Sequence, residues 1–203
     1  VYVSDQREMA GEHGLWWKRS YYEASARVPL LVSGPGIDAR GRDGTPIELV
    51  DLFPTFCDWA DVDPPDGLDG ESLMSLLGGQ SERRQKTFAR SEMLGSNPAQ
   101  QFRMVRNDRW KYVEFPDSPP RLFDLVGDPD ELADLAGEPP LDASIADLRA
   151  EIGRSGTWEE IDQWREEDLT AQQKSDDPPM RGAVQYRLSD GRVIDGDGAL
   201  YTE

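Results

Sequence analysis

The stretch VYVSDQREMAGEHGLWWKRSYYEASARVPLLVSGPG, residues 1–36, places a long polar loop between two continuous apolar runs. The first run ends on Asp5, and the second spans residues 28–36 and closes on Gly and Pro. Apolar residues that follow one another without alternation are typical of strands in a parallel sheet that is covered on both faces. This stretch therefore predicts an α/β fold with functional residues in the loop between the strands.

Helical spacing follows these strands. Apolar residues recur at intervals of three and four over residues 47–62, at Leu49, Leu52, Phe53, Phe56, Cys57 and Ala60. This spacing predicts an amphipathic helix, in which Pro54 either introduces a kink or begins a new first turn. Residues 71–79 predict a short helix that glycines end. Strand, helix and strand with polar loops at the strand ends form the α/β pattern.

From about residue 82 the pattern becomes that of a small antiparallel sheet. Residues 86–94, 102–115 and 121–126 predict strands joined by short Asn-Asp and Pro-rich turns. Helices are predicted next, over residues 144–154 and 157–174.

The C-terminal part carries two local signals. Thr157 and Glu160 form a capping box, which predicts the start of the last helix. Residues 183–201 predict a β-hairpin with Asp190-Gly191 at its turn. This hairpin is a candidate contact with a second subunit, which would make the protein a homo-oligomer.

The composition is strongly acidic. The chain of 203 residues has 40 Asp and Glu against 22 Lys and Arg, a net charge of −18. Such a surface repels nucleic-acid phosphates and anionic membranes, so we expect neither as a partner. Only four of the basic residues are Lys, and excess carboxylate with little Lys suits solubility in high salt. The composition therefore indicates a halophilic source.

Cys57 is the one cysteine of the chain, so no intrachain disulfide can form. This is compatible with a reducing cytoplasm, which is the expected location. No run approaches 18 apolar residues, so the sequence predicts no transmembrane helix. The chain begins without Met on an apolar run, and we expect its true start to lie upstream.

The loop after Asp5 holds a constellation suited to an anionic substrate. Asp5 ends a strand, where open α/β sheets bind ligands, and its carboxylate is a ligand for a hard divalent cation. Lys18 supplies a compact positive charge for an anionic oxygen, and His13 lies between the two. Trp16 and Trp17 either line the substrate pocket or pack in the core. Together these residues indicate a site for a tetrahedral anion such as sulfate or phosphate.

This segment resembles the sulfatase family of the alkaline-phosphatase superfamily, in particular its choline-sulfatase-like and phosphonate-monoesterase-like members. Those proteins carry S-D-H/N-G-x-x-x-G-x-H-G-x-x-x-K, followed by E-x-x-x-R-V-P-L. This chain matches these motifs at Ser4-Asp5, Gly11, His13-Gly14, Lys18, Glu23 and Arg27-Val28-Pro29-Leu30.

Three later segments extend the resemblance to about residues 1–136. Residues 51–77 resemble the family's D-L-x-P-T helix and the loop after it. Residues 103–113 and 122–136 resemble its C-terminal strands and the turn L-Y-D-L-x-x-D-P-x-E-x-x-N-L.

The resemblance implies roles for the residues of the loop. Asp5, with Gln6 at the position of the family's His or Asn, would bind a divalent metal, in the first place Ca²⁺, with Mg²⁺ and Mn²⁺ as alternatives. Lys18 and His13 would be catalytic, and Lys18 and Trp16 would bind the substrate. For Gln6 the alternative is an inert replacement, and for His13 it is a hydrogen bond that braces the loop.

Two departures from the family pattern limit this inference. The family's formylglycine nucleophile comes from a Cys-x-Pro-x-Arg segment, which this chain does not contain, and Cys57 lacks Pro and Arg at the required offsets. Gln6-Arg7 stands where the family has His or Asn and then Gly. We also expect Glu23 and Arg27 to form an ion pair that braces the loop.

The resemblance divides the chain into four parts. Residues 1–82 would be the C-terminal part of a sulfatase-like α/β/α sandwich. This part would begin at the last strand of the sandwich that carries a metal ligand. Residues 83–140 would form the small antiparallel sheet, 141–175 a helical segment and 176–203 the tail hairpin, giving an α+β arrangement after the sandwich.

Three functions are compatible with the sequence. The first is hydrolysis of a small sulfated ester, to which this chain contributes the part without the nucleophile. The second is a catalytically inactive binding or interaction module derived from a sulfatase. The third is hydrolysis of phosphate or phosphonate esters.

Overall fold

The computed structural model describes residues 1–38, 41–80, 84–94, 101–138, 142–174, 185–187 and 193–195. The chain forms two compact units, Val1–Gly156 and Thr157–Glu203. The described strands are β1 (Tyr2–Val3), β2 (Met9–Ala10), β3 (Trp16–Trp17), β4 (Leu30–Leu31), β5 (Ala89–Met93), β6 (Phe102–Arg106), β7 (Trp110–Glu114), β8 (Arg121–Asp124), β9 (Gln185–Arg187) and β10 (Val193–Asp195). The α-helices are α1 (Glu23–Ala26), α2 (Leu52–Trp59), α3 (Met74–Leu77), α4 (Asp142–Ile152) and α5 (Trp158–Lys174).

The best-packed part of the first unit is a four-stranded antiparallel sheet in the order β5-β6-β7-β8. The sheet predicted from residues 86–126 is therefore confirmed. Its central pairs place Val105 opposite Tyr112, and Tyr112 opposite Leu122. Because side chains alternate along a strand, the sheet has two apolar faces, and other parts of the chain cover both of them.

The two faces pack against different parts of the chain. On one face Val105, Tyr112 and Leu122 contact the buried side of α4, at Ile145, Leu148 and Ile152. On the other face lie Phe102, Met104, Val113 and Phe123, and Tyr21 and Tyr22 pack against them. The second contact ties the sheet to the segment that carries the candidate site.

The two apolar runs at the N-terminus do not form a parallel sheet within the described chain. β1 and β4 pair antiparallel, with Tyr2 opposite Leu31, and both side chains are exposed. A parallel pairing needs a crossover, usually through a helix. Here the intervening residues form the β2–β3 hairpin and α1, whose path returns the chain in the opposite direction.

The helix predicted over residues 47–62 is present as α2, and Pro54 lies in its first turn. Its buried side differs from the prediction, because Leu49, Phe53 and Phe56 are exposed whereas Thr55 is buried. The buried side carries Thr55, whose hydrogen bonds are described below. The predicted short helix is α3, and Gly78 follows its last residue as the C-cap.

In the second unit, the predicted capping box opens α5. The Thr157 amide donates to Glu160 Oε2 at 2.7 Å, and the Glu160 amide donates to Thr157 Oγ1 at 3.2 Å. β9 and β10 pair antiparallel, as the hairpin pattern predicts. The turn residues Asp190-Gly191 lie outside the described residues, and the four-part division of the chain stays a prediction.

Among the helices of the described residues, none combines the length and the apolar composition that a membrane span requires.

Candidate functional site

The chain leaves β1 into an exposed turn that carries the first predicted site residues. Ser4 Oγ donates to the carbonyl oxygen of Gln6 at 2.7 Å, and the side chains of Asp5 and Gln6 are exposed. The turn is fixed at its far end, where the Arg7 amide donates to the Ser25 carbonyl oxygen at 3.1 Å. α1 therefore holds the backbone that follows Asp5 and Gln6.

A tight hairpin then places His13. β2 and β3 are joined by a 3₁₀ turn, Glu12–Gly14, which Gly11 enters with φ of 118°, a conformation that glycine tolerates best. The Ala10 amide donates to the Glu12 carboxylate at 2.5 Å. This hydrogen bond lowers the pKa of Glu12, because it favours the charged form.

His13 is held by an aromatic contact. Its backbone is left-handed, with φ of 54°, and its ring stacks on Tyr22 with centroids 3.6 Å apart and planes 7° from parallel. Tyr22 in turn packs on the four-stranded sheet at Phe123. The structure thus ties His13 to the sheet through Tyr22, and the catalytic role of His13 stays a prediction.

Trp16, Trp17 and Lys18 project from the same hairpin into solvent. Trp16 is 69% exposed and Trp17 is 76% exposed, so neither packs in the core of the described chain. Trp17 and Arg19, on either side of Lys18, have φ of 76° and 73°. Left-handed backbone is uncommon for such residues and clusters at functional sites. All three side chains are therefore open to solvent, and the roles of Trp16 and Lys18 in binding a substrate stay predictions.

The donor set for a metal is incomplete within the described residues. Asp5 and Gln6 offer one carboxylate and one amide oxygen, whereas Ca²⁺ takes six to eight oxygen ligands. Over the residues that the structure describes, no group of three or more His, Cys, Asp and Glu is placed to hold an ion. The described chain alone therefore does not make up a cation site.

A buried ionic cluster behind the site was not foreseen from the sequence. The Lys111 cluster, as we call it, consists of Lys111, Glu131, Glu23 and Arg106. Lys111 Nζ lies 2.7 Å from Glu23 Oε1 and 2.7 Å from Glu131 Oε1. Arg106 Nη1 lies 2.6 Å from Glu23 Oε2. The sequence offered one signal, since Glu131 occupies the Glu position of the family's turn motif.

The partners of Glu23 correct one prediction. We expected an ion pair with Arg27, but the Glu23 carboxylate binds Lys111 and Arg106. The prediction failed because these partners lie on β6 and β7, far from Glu23 along the chain. Burial alone would raise the pKa of Glu23, but the nearby Lys111 and Arg106 outweigh it and hold the pKa below its usual value.

A second buried network, which we name the Asp51 network, anchors α2. It consists of Asp51, Thr55, Glu71, Arg84 and Lys86. The carboxylate of Asp51 accepts hydrogen bonds from the Glu71 amide at 2.9 Å, from Arg84 at 2.8 Å and from Lys86 at 3.1 Å.

Thr55 completes this network. Its hydroxyl donates to the Asp51 carbonyl oxygen at 2.5 Å and accepts from the Leu73 amide at 2.8 Å. Asp51 and Thr55 are the Asp and Thr of the D-L-x-P-T motif. In the described chain they are structural residues that tie α2 to the segment around α3.

Comparison with known proteins shows which family this chain resembles. The family model described as N-sulphoglucosamine sulphohydrolase, C-terminal, matches residues 11–156. Arylsulfatase K of Mus musculus is 43% identical over 149 residues, which cover 69% of this chain and 27% of the relative. The chain thus spans about a quarter of the length of that curated relative.

Solved structures show the same fold. A phosphonate monoester hydrolase from Silicibacter pomeroyi is 26% identical with a TM-score of 0.65, covering 95% of this chain and 38% of that protein. A protein solved in complex with its substrate D-glucosamine-2-N,6-O-disulfate is 26% identical with a TM-score of 0.64, covering 76% of this chain and 33% of that protein.

Proposed function

The chain belongs to the sulfatase family, of which it is a C-terminal portion, and from this we propose that the protein carrying it hydrolyses sulfate esters. The observation that supports the proposal most directly is the placement of Lys18. It lies on an exposed hairpin, next to left-handed backbone, downstream of Asp5 at the family spacing.

In this proposal, three side chains of the chain bind different parts of the substrate. The Lys18 ammonium binds the anionic oxygens of the sulfuryl group, which gain charge as the ester bond breaks. His13 contacts the substrate from the turn that Tyr22 supports. Trp16 packs against the leaving group, because exposed aromatic rings supply apolar contact area.

The family generally uses a divalent metal and a formylglycine. Asp5 and Gln6 supply two oxygen ligands for the metal, for which Ca²⁺ is favoured over Mg²⁺ or Mn²⁺. A bound cation would polarise a sulfuryl oxygen. Its remaining ligands, and the Cys-x-Pro-x-Arg segment that gives formylglycine, would come from outside this sequence.

The substrate that we propose is a small sulfated ester. The solved relative that holds D-glucosamine-2-N,6-O-disulfate supports an ester on a sugar as one form of this substrate.

The test is a Lys18→Ala variant of the protein assayed on p-nitrophenyl sulfate. We expect kcat/KM to fall by about 100-fold or more, because one charged contact to the developing oxyanion is lost. Arg42→Ala removes a positive charge from another exposed loop and serves as the control, with activity unchanged. Wild-type activity in Lys18→Ala would refute the role of this lysine.

Phosphonate or phosphate esters are the second candidate substrates. The phosphonate monoester hydrolase match, which covers 95% of this chain, supports this alternative. Assays on p-nitrophenyl sulfate and on p-nitrophenyl phenylphosphonate decide between them. A higher kcat/KM on the phosphonate would make phosphonate esters, instead of sulfate esters, the proposed substrates.

The Gln6-Arg7 departure supports a third outcome, an inactive binding module. Sulfate binding, measured by calorimetry, without hydrolysis of either ester would favour that module over an enzyme.

A further inference from the structure

In the Lys111 cluster, every N–H donor of the Lys111 ammonium has an acceptor, and the positive and negative charges are equal in number. An ammonium group has three N–H donors, and those of Lys111 meet Glu23 Oε1, Glu131 Oε1 and, at 2.9 Å, the Tyr21 carbonyl oxygen. Lys111 is fully buried, and Glu131 is nearly so. With Arg106 the cluster holds two positive and two negative charges. Such a network has one well-defined geometry, because any displacement leaves a buried charge without a partner.

This cluster fixes α1 from three directions. Lys111 and Arg106 bind the Glu23 carboxylate, and Glu131 Oε2 accepts the Glu23 amide hydrogen bond at 2.6 Å. A helix of four residues is not stable by itself, since nucleation costs more than so few hydrogen bonds return. The position of α1 therefore depends on these tertiary bonds and on the packing of Tyr21 and Tyr22.

α1 and the residue before it contact two parts of the candidate site, which we call its two arms. These are the turn at Gln6-Arg7 and the turn that carries His13. On one arm, the Ser25 carbonyl oxygen accepts the hydrogen bond of the Arg7 amide, directly after Gln6. On the other arm, the ring of Tyr22 stacks on His13. A shift of α1 would move the two arms together.

From this connection we propose that Lys111 and Glu131 are positioning residues for the candidate site. They act through Glu23 and α1 to set where His13 and the turn at Gln6-Arg7 lie relative to Lys18. The effect on catalysis rests on the proposed sulfate-ester hydrolysis, whereas the effect on geometry does not. Neither residue touches the substrate.

The test uses the 203-residue chain, in which His13 is the one histidine, so that the NMR signal of its ring protons needs no assignment. Stacking on Tyr22 shifts this signal upfield. Lys111→Met keeps the length of the side chain and removes its charge. We expect the folded variant to lose most of the upfield shift, as Tyr22→Leu does directly.

The control is Arg109→Met. It removes the same charge from the neighbouring turn, where Arg109 binds Asp124 at 2.9 Å in an exposed pair. If loss of a positive charge near the sheet were enough to move the signal, Arg109→Met would move it too. We expect the Arg109→Met signal to stay at the wild-type position.

A second variant covers the case in which Lys111→Met does not fold. Lys111→Met/Glu131→Gln removes one charge of each sign, so that Glu23 and Arg106 remain as a balanced pair. We expect the same loss of the His13 shift in this variant. A wild-type His13 signal in either folded variant would overturn the proposal.

Hydrolysis is measured separately, with the same substitutions made in the protein that carries this chain. We expect kcat/KM to fall by about tenfold or more, since small displacements of substrate-binding groups are costly. If the wild-type protein hydrolyses no ester, the proposed function fails while the His13 signal still decides the positioning role. If the wild-type protein is active and both readouts are unchanged in Lys111→Met, the positioning role is overturned.

Discussion

Glu23 illustrates what burial does to a single carboxylate in this protein. Its side chain is largely buried, yet Lys111 and Arg106 keep it charged and hold its pKa below its usual value. A carboxylate whose pKa is lowered by folding stabilises the folded state above its unfolded pKa. That contribution is lost as the pH falls through the lowered pKa.

Glu23 should therefore make the protein sensitive to acid. Below about pH 4.5, the ordinary value for glutamate, we expect the free energy of unfolding to decrease as Glu23 becomes protonated. Glu23→Gln should cost about 1–3 kcal/mol at pH 7, where charged hydrogen bonds are lost. Urea unfolding between pH 3.5 and 7 measures both effects.

The variant should also have a shallower decline in stability below pH 4.5 than the wild type. Parallel stability curves for wild type and Glu23→Gln would contradict the assignment of this pH dependence to Glu23.

At the scale of elements, polar bonds rather than an apolar face anchor α2. Phe53 is 54% exposed, whereas Thr55 is buried and joins Asp51 to the Leu73 amide. The helix could be predicted from spacing, but its orientation and its limits could not, since the predicted range of residues 47–62 exceeds the observed Leu52–Trp59. Spacing carries no sign of these bonds, because the Leu73 amide that donates to Thr55 lies 18 residues further along the chain.

Thr55→Val tests this anchor. The change keeps the shape of the side chain but leaves the Leu73 amide without its acceptor, so we expect a loss of about 1–3 kcal/mol in unfolding free energy. Faster hydrogen exchange of the Leu73 amide should accompany the loss. Thr87→Val, at an exposed position, is the matched control and should have little effect. Equal losses in the two variants would argue against the anchor.

At the scale of the whole molecule, net charge and exposed apolar side chains act in opposite directions. The charge of −18 makes copies of the chain repel one another, whereas Tyr2, Leu31, Phe53 and Phe56 present apolar surface to solvent. Salt screens the repulsion, because the Debye length falls from about 10 Å at 0.1 M to about 3 Å at 1 M. Apolar attraction then dominates.

The 203-residue chain should therefore associate as salt is added. Light scattering at low salt and at 1 M salt measures this, with a larger mean mass expected at high salt. Phe53→Ser/Phe56→Ser should reduce the association. The control is Leu132→Ser, which changes an exposed leucine in the turn after β8 and should leave the association as in the wild type. A monomer at every salt concentration would refute the expectation.

The sequence by itself determined what depends on neighbouring residues. Period-two and helical spacing predicted the four strands of the antiparallel sheet and the helices α2 to α5, because these patterns are local. The motifs around Asp5, His13 and Lys18 identified the family, since the order and spacing of residue types are properties of the chain. The roles of these site residues, and those of Gln6 and Trp16, stay predictions.

Only the tertiary structure decided which side chains meet across long separations. It paired Lys111 with Glu23 and Glu131, turned Thr55 inward, and set β1 antiparallel to β4. A charged residue carries no local sign of its partner, because an ion pair depends on distance in space and on burial. The fold brings α1 against the sheet, and only then does Lys111 reach Glu23.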